Sequence, residues 1–285
     1  MRDFYFHVPS TIDETFGLLE EHGDNARVMS GGTAMVVLMK QSLLQADHIV
    51  SLQRLPGMDS IHLADDGLHI GALTRHRDVE TSALVQQNAP LLAEVYHRVA
   101  TVKIRNSATV GGGLAHSDPS QDPPAGLIAL GASVRLQSRA GERVVPVDEL
   151  STDYYETQIR PDEILTEVIV PRQPEQARAV YLKYLPRTED DYATVAVCAL
   201  AEADNGVCRR ARVALIAAGP TPIHATAVEQ AMEGQAISAE NVRRAAEAVE
   251  PLVDPLDDFR GSSSYKRDMA VVFTRRALER ALGLT

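Results

Sequence analysis

The chain holds only two cysteines, Cys198 and Cys208, in 285 residues. An iron–sulfur cluster normally takes four thiolate ligands, so none is expected here, and any iron–sulfur chemistry the chain joins must sit on a partner. The two thiols, on either side of a turn, read as small buried hydrophobes. Long apolar runs are also missing. None reaches the roughly 18 residues that span a bilayer, so no membrane span is expected. The opening residues Met1-Arg2-Asp3-Phe4 lack the basic start and apolar stretch of a secretory signal, and a cytoplasmic location is the expectation. Excess positive charge is absent too: the formal net charge is −11, which offers no phosphate-neutralising surface and argues against a nucleic-acid partner.

What is present is the balance of a globular protein, with 45% hydrophobic and 24% charged residues, and enough length for two domains or three small lobes. Thr11 precedes Glu14 at capping-box spacing, Ile12, Phe16 and Leu19 share a face, and Gly23 follows as a stop. Residues 26–29 then read as a strand, 34–44 as an apolar helix and 48–52 as a second strand, a β-α-β unit. Asp65-Asp66-Gly67 predicts a hairpin between 61–64 and 68–72, with helical patterns at 77–86 and 90–99. Residues 101–122 read as a long loop, a length that is usually functional. A helix at 126–132 and strands at 133–138 and 164–170 follow, then a linker over 171–177. Asn205-Gly206 favours the positive φ angles of a type I′ turn and joins strands at 192–203 and 207–218, with 180–185 as a third strand. Val242, Ala245, Ala246 and Val249 form a helical stripe, and 266–282 predicts a final helix.

Two glycine-rich segments carry the chemical signal. Ser30-Gly31-Gly32-Thr33-Ala34 lies at a strand-to-helix turn, where free N–H groups and the helix dipole favour an anion. Thr109-Val110-Gly111-Gly112-Gly113 lies in the long loop. A lone Gly-Gly is more often a tight turn, and neither segment matches G-x-G-x-x-G or a P-loop. Spacing alone says that an anionic cofactor is one reading of two.

A wider set of phrases resembles the medium, flavoprotein subunits of the carbon monoxide dehydrogenase and xanthine dehydrogenase family of molybdenum hydroxylases. The set comprises Ser30-Gly31-Gly32-Thr33-Ala34, Gln53-Arg54-Leu55-Pro56-Gly57-Met58, Ile70-Gly71-Ala72-Leu73-Thr74 and Ile104-Arg105-Asn106-Ser107-Ala108-Thr109-Val110-Gly111-Gly112. Leu114-Ala115-His116-Ser117-Asp118-Pro119, Asp162-Glu163-Ile164-Leu165 and Asp191-Tyr192-Ala193 continue it in the family's order. The resemblance implies an α+β chain with the FAD-binding fold related to p-cresol methylhydroxylase (PCMH) and vanillyl-alcohol oxidase. Two α/β lobes, 1–55 and 56–174, hold FAD without a covalent link, and 175–285 adds a three-stranded antiparallel sheet with helices.

By the same resemblance, Val28, Met29, Ser30, Gly31, Gly32, Thr33, Ala34 and Met35 wrap one side of the FAD diphosphate, and Thr109, Gly111 and Gly112 approach the other. Gly113, Ala115, His116 and Asp118 belong to that second loop, and Asp122 meets a ribose or adenine edge. Val99, Ala100, Leu165, Lys183 and Tyr192 match positions near the flavin. Many relatives have Asn or Ser where Gly113 stands, so a side-chain hydrogen bond made there is absent. The family further implies a large subunit with a molybdenum-pterin cofactor and a small subunit with [2Fe–2S] clusters, assembled as a dimer of heterotrimers. The chain then passes electrons from those clusters to an external acceptor. A stand-alone FAD-dependent oxidoreductase of the same fold and a non-redox nucleotide-binding module remain open alternatives.

Other residues carry weaker signals. His116 could orient a phosphate or flavin edge but is more often a plain hydrogen-bonded loop residue, and His7, His48, His76 and His97 show no metal-binding spacing. Asp118 and Asp122 suit loop capping better than acid–base work, and no nucleophile–base set stands out. Lys103, Arg105, Arg187, Arg209, Arg210 and Arg212 are expected either to form a cationic docking face beside the flavin or to be scattered solubilising charge.

Overall fold

The computed structural model describes every residue except Met1, Pro186 and Glu189; Met1 entered above only as part of the N-terminal sequence. The first lobe runs β1 (Tyr5–His7), α1 (Ile12–His22), β2 (Ala26–Met29), α2 (Thr33–Lys40) and β3 (His48–Ser51). Its three strands pair in parallel in the order β1-β3-β2, which gives the predicted β-α-β unit. Thr11 caps α1 by accepting from the Glu14 N–H, as the spacing implies. The Glu14 carboxylate, however, reaches back to the Ser10 N–H at 2.8 Å rather than to Thr11. The second helix stops at Lys40, short of the expected 44, and Ser42 takes a φ of +60° just beyond it.

The middle lobe begins with the hairpin β4 (Ile61–Ala64) and β5 (Gly67–Gly71), then α3 (His76–Thr81), α4 (Ala83–Asn88), α5 (Pro90–His97), α6 (Val102–Arg105), α7 (Val110–His116) and α8 (Pro123–Leu130). It continues with β6 (Ser133–Ser138), β7 (Gly141–Pro146), α9 (Val147–Leu150), β8 (Ser151–Asp153), β9 (Glu156–Thr157) and β10 (Ile164–Val170). Five strands make an antiparallel sheet in the order β4-β5-β10-β6-β7. Two expectations are corrected. The helical pattern at 77–86 is two helices, because Ser82 leaves the helical region (φ −65°, ψ 124°) to cap α4. The long loop at 101–122 contains α6 and α7, each started by a threonine hydroxyl that accepts a backbone N–H.

The third lobe holds β11 (Arg178–Tyr184), β12 (Val195–Asp204), β13 (Val207–Ile216), β14 (Ile223–His224), α10 (Thr226–Met232), α11 (Ala239–Glu247) and α12 (Ser263–Ala281). Asn205 and Gly206 have φ of +49° and +76°, the two positive angles a type I′ turn requires. The sheet has four strands rather than three, since the short β14 pairs with β13. Successive side chains of β12 face opposite sides. Ala196, Cys198 and Leu200 join the core shared with the first two lobes, whereas Val195, Val197, Ala199 and Ala201 pack under the C-terminal helices. Burial on both faces explains why this strand is apolar without alternation. Cys198 and Cys208 are free and buried, as expected. Among the described residues no helix is long and apolar enough to cross a membrane.

Candidate functional site

The fold brings the two glycine segments into contact. Thr109 Oγ1 donates to Ser30 Oγ at 2.9 Å and accepts the Gly112 N–H at 3.2 Å. A Cβ on Gly31 would lie 2.1 Å from the Ser107 carbonyl oxygen, so only glycine lets the first loop run against the second. A Cβ on Gly112 would lie 2.3 Å from Ser30 Oγ and 2.7 Å from Thr109 Oγ1. Val28 to Met35 are all half-buried along this seam.

The two helix starts differ in what they leave free. In the second loop the amides are already used: Val110 N–H donates to Thr74 O, Gly111 N–H to Ala72 O, Gly112 N–H to Thr109 Oγ1 and Gly113 N–H to Thr109 O. The first two bonds zip the loop onto residues 72–74, and the other two close its own first turn. In the first loop Gly32 has a φ of +71° and starts α2 with no side-chain cap. First-turn amides of an uncapped helix have no intrahelical acceptor, so the free donors of the seam lie at the start of α2. The second loop supplies instead glycines whose missing side chains let Ala72 and Ser30 pack against it. At Gly113 a Cβ would lie 3.1 Å from Gln121 Oε1, so the missing side chain opens little space.

Behind the seam lies a buried polar network that sequence reading missed. His76 Nε2 lies 3.2 Å from the Thr109 carbonyl, and burial pushes its imidazole pKa down to about 4. Arg105, expected on a docking face, is buried instead. Its Nε donates to Glu80 Oε2 at 2.8 Å, and its Nη1 donates to the Val99 and Ala100 carbonyls at 2.7 and 2.9 Å. Ala100 sits at a φ of +38°, a strained angle for a residue with a Cβ, and Arg105 holds it there. Burial alone would raise the Glu80 pKa, but hydrogen bonds from His97, Arg77 and Arg105 hold it below the usual carboxylate range. Glu80, 25 residues before Arg105, carried no local signal.

The remaining expected residues spread from this seam toward the third lobe. Asp122 is 2% exposed; it accepts from Tyr181 Oη and, at 3.0 Å, from Lys183 Nζ, which also donates to Arg98 O. Its carboxylate is thus committed to a bridge between lobes, and burial, opposed by Lys183 and Tyr181, raises its pKa. Asp118 caps its own loop by accepting the Ser120 N–H at 2.9 Å, while Tyr192 is exposed and lies under the Arg260 guanidinium. His116 ends α7 next to Tyr155, and burial lowers its pKa; Ala115 beside it is exposed. Leu165 is buried on β10, one residue from the Thr166 carbonyl that accepts the Ala72 N–H.

The other arginines of the expected docking face are engaged with acids. Arg209 meets Asp204 at 2.9 Å, Arg210 meets Glu202 at 3.9 Å, Arg212 meets Glu229 at 3.9 Å and Arg187 meets Asp191 at 3.6 Å. A single face of free positive charge is therefore not what these residues build.

Comparison with known proteins accounts for the arrangement. Residues 2–173 match the family described as the FAD binding domain in molybdopterin dehydrogenase, and residues 180–281 match the CO dehydrogenase flavoprotein C-terminal domain. The chain is 33% identical over 280 residues to the 6-hydroxypseudooxynicotine dehydrogenase complex subunit alpha of Paenarthrobacter nicotinovorans, covering 98% of this chain and 94% of that one. It is 32% identical over 278 residues to the carbon monoxide dehydrogenase medium chain of Hydrogenophaga pseudoflava, covering 98% and 96%. A solved carbon monoxide dehydrogenase from Hydrogenophaga pseudoflava superposes with a TM-score of 0.96 at 33% identity, over 99% of this chain and 98% of that one. Quinoline 2-oxidoreductase from Pseudomonas putida 86 gives a TM-score of 0.93 at 27% identity over 99% and 98%. The chain belongs to the FAD-binding, medium-subunit family of the molybdopterin dehydrogenases, and it is a flavoprotein oxidoreductase subunit.

Proposed function

We propose that this chain is the electron-transfer subunit of a heteromeric molybdenum hydroxylase, taking electrons from a partner's [2Fe–2S] clusters and delivering them to an external acceptor. The observation that carries the reading is the seam between the two loops. It pairs an uncapped helix start, rich in free N–H donors, with glycines that let the two loops close against each other around that start. FAD fits this seam. Val28 to Met35 hold one side of its diphosphate, and Thr109, Gly111 and Gly112 line the other. Bound FAD supplies one- and two-electron redox chemistry, while the chain orients it and shields it. Arg105 fixes the Val99–Ala100 turn, which would help hold the flavin. Asp122 acts through Tyr181 and Lys183, joining the FAD-binding lobes to the third. The separation of the three larger sheets supports a lobe division at 1–55, 56–174 and 175–285.

Its partners in this reading are a large subunit with a molybdenum-pterin cofactor and a small iron–sulfur subunit, in a cytoplasmic dimer of heterotrimers. The two buried cysteines of the third lobe supply no cluster site, which supports placing the clusters elsewhere. Affinity purification of the chain from its native cells should bring down two further polypeptides together with molybdenum and iron. The chain recovered alone, turning over an organic substrate with FAD as sole cofactor, would make it a stand-alone enzyme.

A further inference from the structure

Three histidines far apart in sequence meet on the first lobe. His7 is the last residue of β1, His22 the last of α1 and His48 the first of β3. In the parallel register Tyr5 lies beside His48, so His7, two residues on, projects from the same face. His7 Nε2 lies 2.9 Å from His48 Nδ1, and one ring nitrogen from each of the three lies within 4.8 Å of the others. We infer that this cluster is a binding site for one borderline divalent transition-metal cation of the zinc class.

The surroundings separate these histidines from the others. His69, His97 and His224 each hydrogen-bond a carboxylate, as ordinary surface histidines do. Among the described residues His7, His22 and His48 have no carboxylate partner, and the one hydrogen bond in the cluster joins two imidazoles. Three half-buried rings bring one nitrogen each within 4.8 Å of the others. Burial and the neighbouring His22 and His48 rings hold the His7 pKa below its ordinary value, against a smaller opposite pull from Glu21.

Imidazole nitrogens select zinc, nickel, cobalt or copper over magnesium or calcium. Three protein nitrogens leave one tetrahedral position for water. Zinc–imidazole bonds of about 2.0–2.1 Å place tetrahedral ligand atoms about 3.3 Å apart, close to the His7–His48 separation. The His22 and His48 rings are stacked at 3.6 Å and must turn for their lone pairs to converge. That turn uses the terminal ring torsion, which is broad and soft. Above the imidazole pKa the step needs only a tautomer change, since the proton shared by His7 Nε2 and His48 Nδ1 moves to the other nitrogen of the ring that carries it. At lower pH the cation competes with protons. The bound ion ties β1, α1 and β3 together, and β3 is the neighbour of β2, whose end enters the loop at residues 30–34.

The test is zinc titration by calorimetry on tag-free, chelator-stripped full-length chain, with circular dichroism to confirm folding. The wild type should bind one zinc per chain, and His7→Asn and His48→Asn should each weaken binding by about 100-fold or more. His22→Asn, at a helix end, leaves the sheet intact and should show a comparable loss. His62→Asn, in the other group of potential ligands with His69 and Glu167, should bind as the wild type does, and loss of the bound zinc in this variant would place the ion there and overturn the site. A folded His22→Asn chain with wild-type affinity overturns the site, as does a wild type that binds no tighter than His7→Asn. The readout is metal rather than flavin, so it stands or falls separately from the FAD reading.

Discussion

At the scale of single residues, the buried histidine behind the seam gives a signed pH dependence. His76 is 5% exposed and its Nδ1 has no partner among the described residues. Its pKa falls from 6.5 to about 4 because burial disfavours the imidazolium. Unfolded chains therefore take up this proton more readily than folded ones. The stabilising contribution is complete above pH 6.5 and is lost as pH falls toward about 4. Between roughly pH 8 and pH 5 the loss is about 2 kcal/mol, a figure set by the linkage relation. Denaturant unfolding of wild type and His76→Gln across that range measures it. The variant should show the shallower decline, and parallel curves would remove His76 as the titrating group.

At the scale of elements, Arg105 and Glu80 join α3, α5 and α6 into one unit. Glu80 accepts from Arg77 on its own helix, from His97 on α5 and from Arg105 on α6. Arg105→Met leaves a buried carboxylate short of its main partner and releases the Val99 and Ala100 carbonyls, at a cost of about 3 kcal/mol. Because Ala100 then relaxes from its positive φ, the FAD dissociation constant should also rise. Flavin retention on dilution and the midpoint of thermal unfolding both check this, and a variant matching wild type in both contradicts it. The contrast with the sequence reading is instructive here. Capped helices and the Asn-Gly hairpin were legible because their signals are local. Thr11 and Asn205 act within three residues of themselves. Arg105 was read as a surface cation because nothing near it in sequence announces Glu80. The helices inside 101–122 were hidden for a related reason, since glycine and serine lower helix propensity while threonine caps and tertiary packing restore it. The free amides at α2 were legible as a motif, but not the internal use of those at Gly111 to Gly113. That depends on Ala72 and Thr109 as acceptors.

At the scale of the whole molecule, the third sheet is the partition on which the protein is built. One face of β12 closes the core of the FAD-binding lobes and the other seats the C-terminal helices. The buried bridge from Asp122 to Tyr181 and Lys183 fastens the same junction with hydrogen bonds. This rigid frame holds two glycine loops against each other, and the central claim is that FAD occupies their seam. The most direct measurement is the ratio of acid-released FAD to protein in wild type and in Gly112→Val, with circular dichroism to confirm folding. The new side chain would meet the hydroxyls of Ser30 and Thr109, which are side-chain ends that can swing aside, so the fold should persist while the seam between the loops is crowded. The expected result is one FAD per wild-type chain and a folded, colourless variant. A folded Gly112→Val chain with the wild-type flavin ratio would contradict the account.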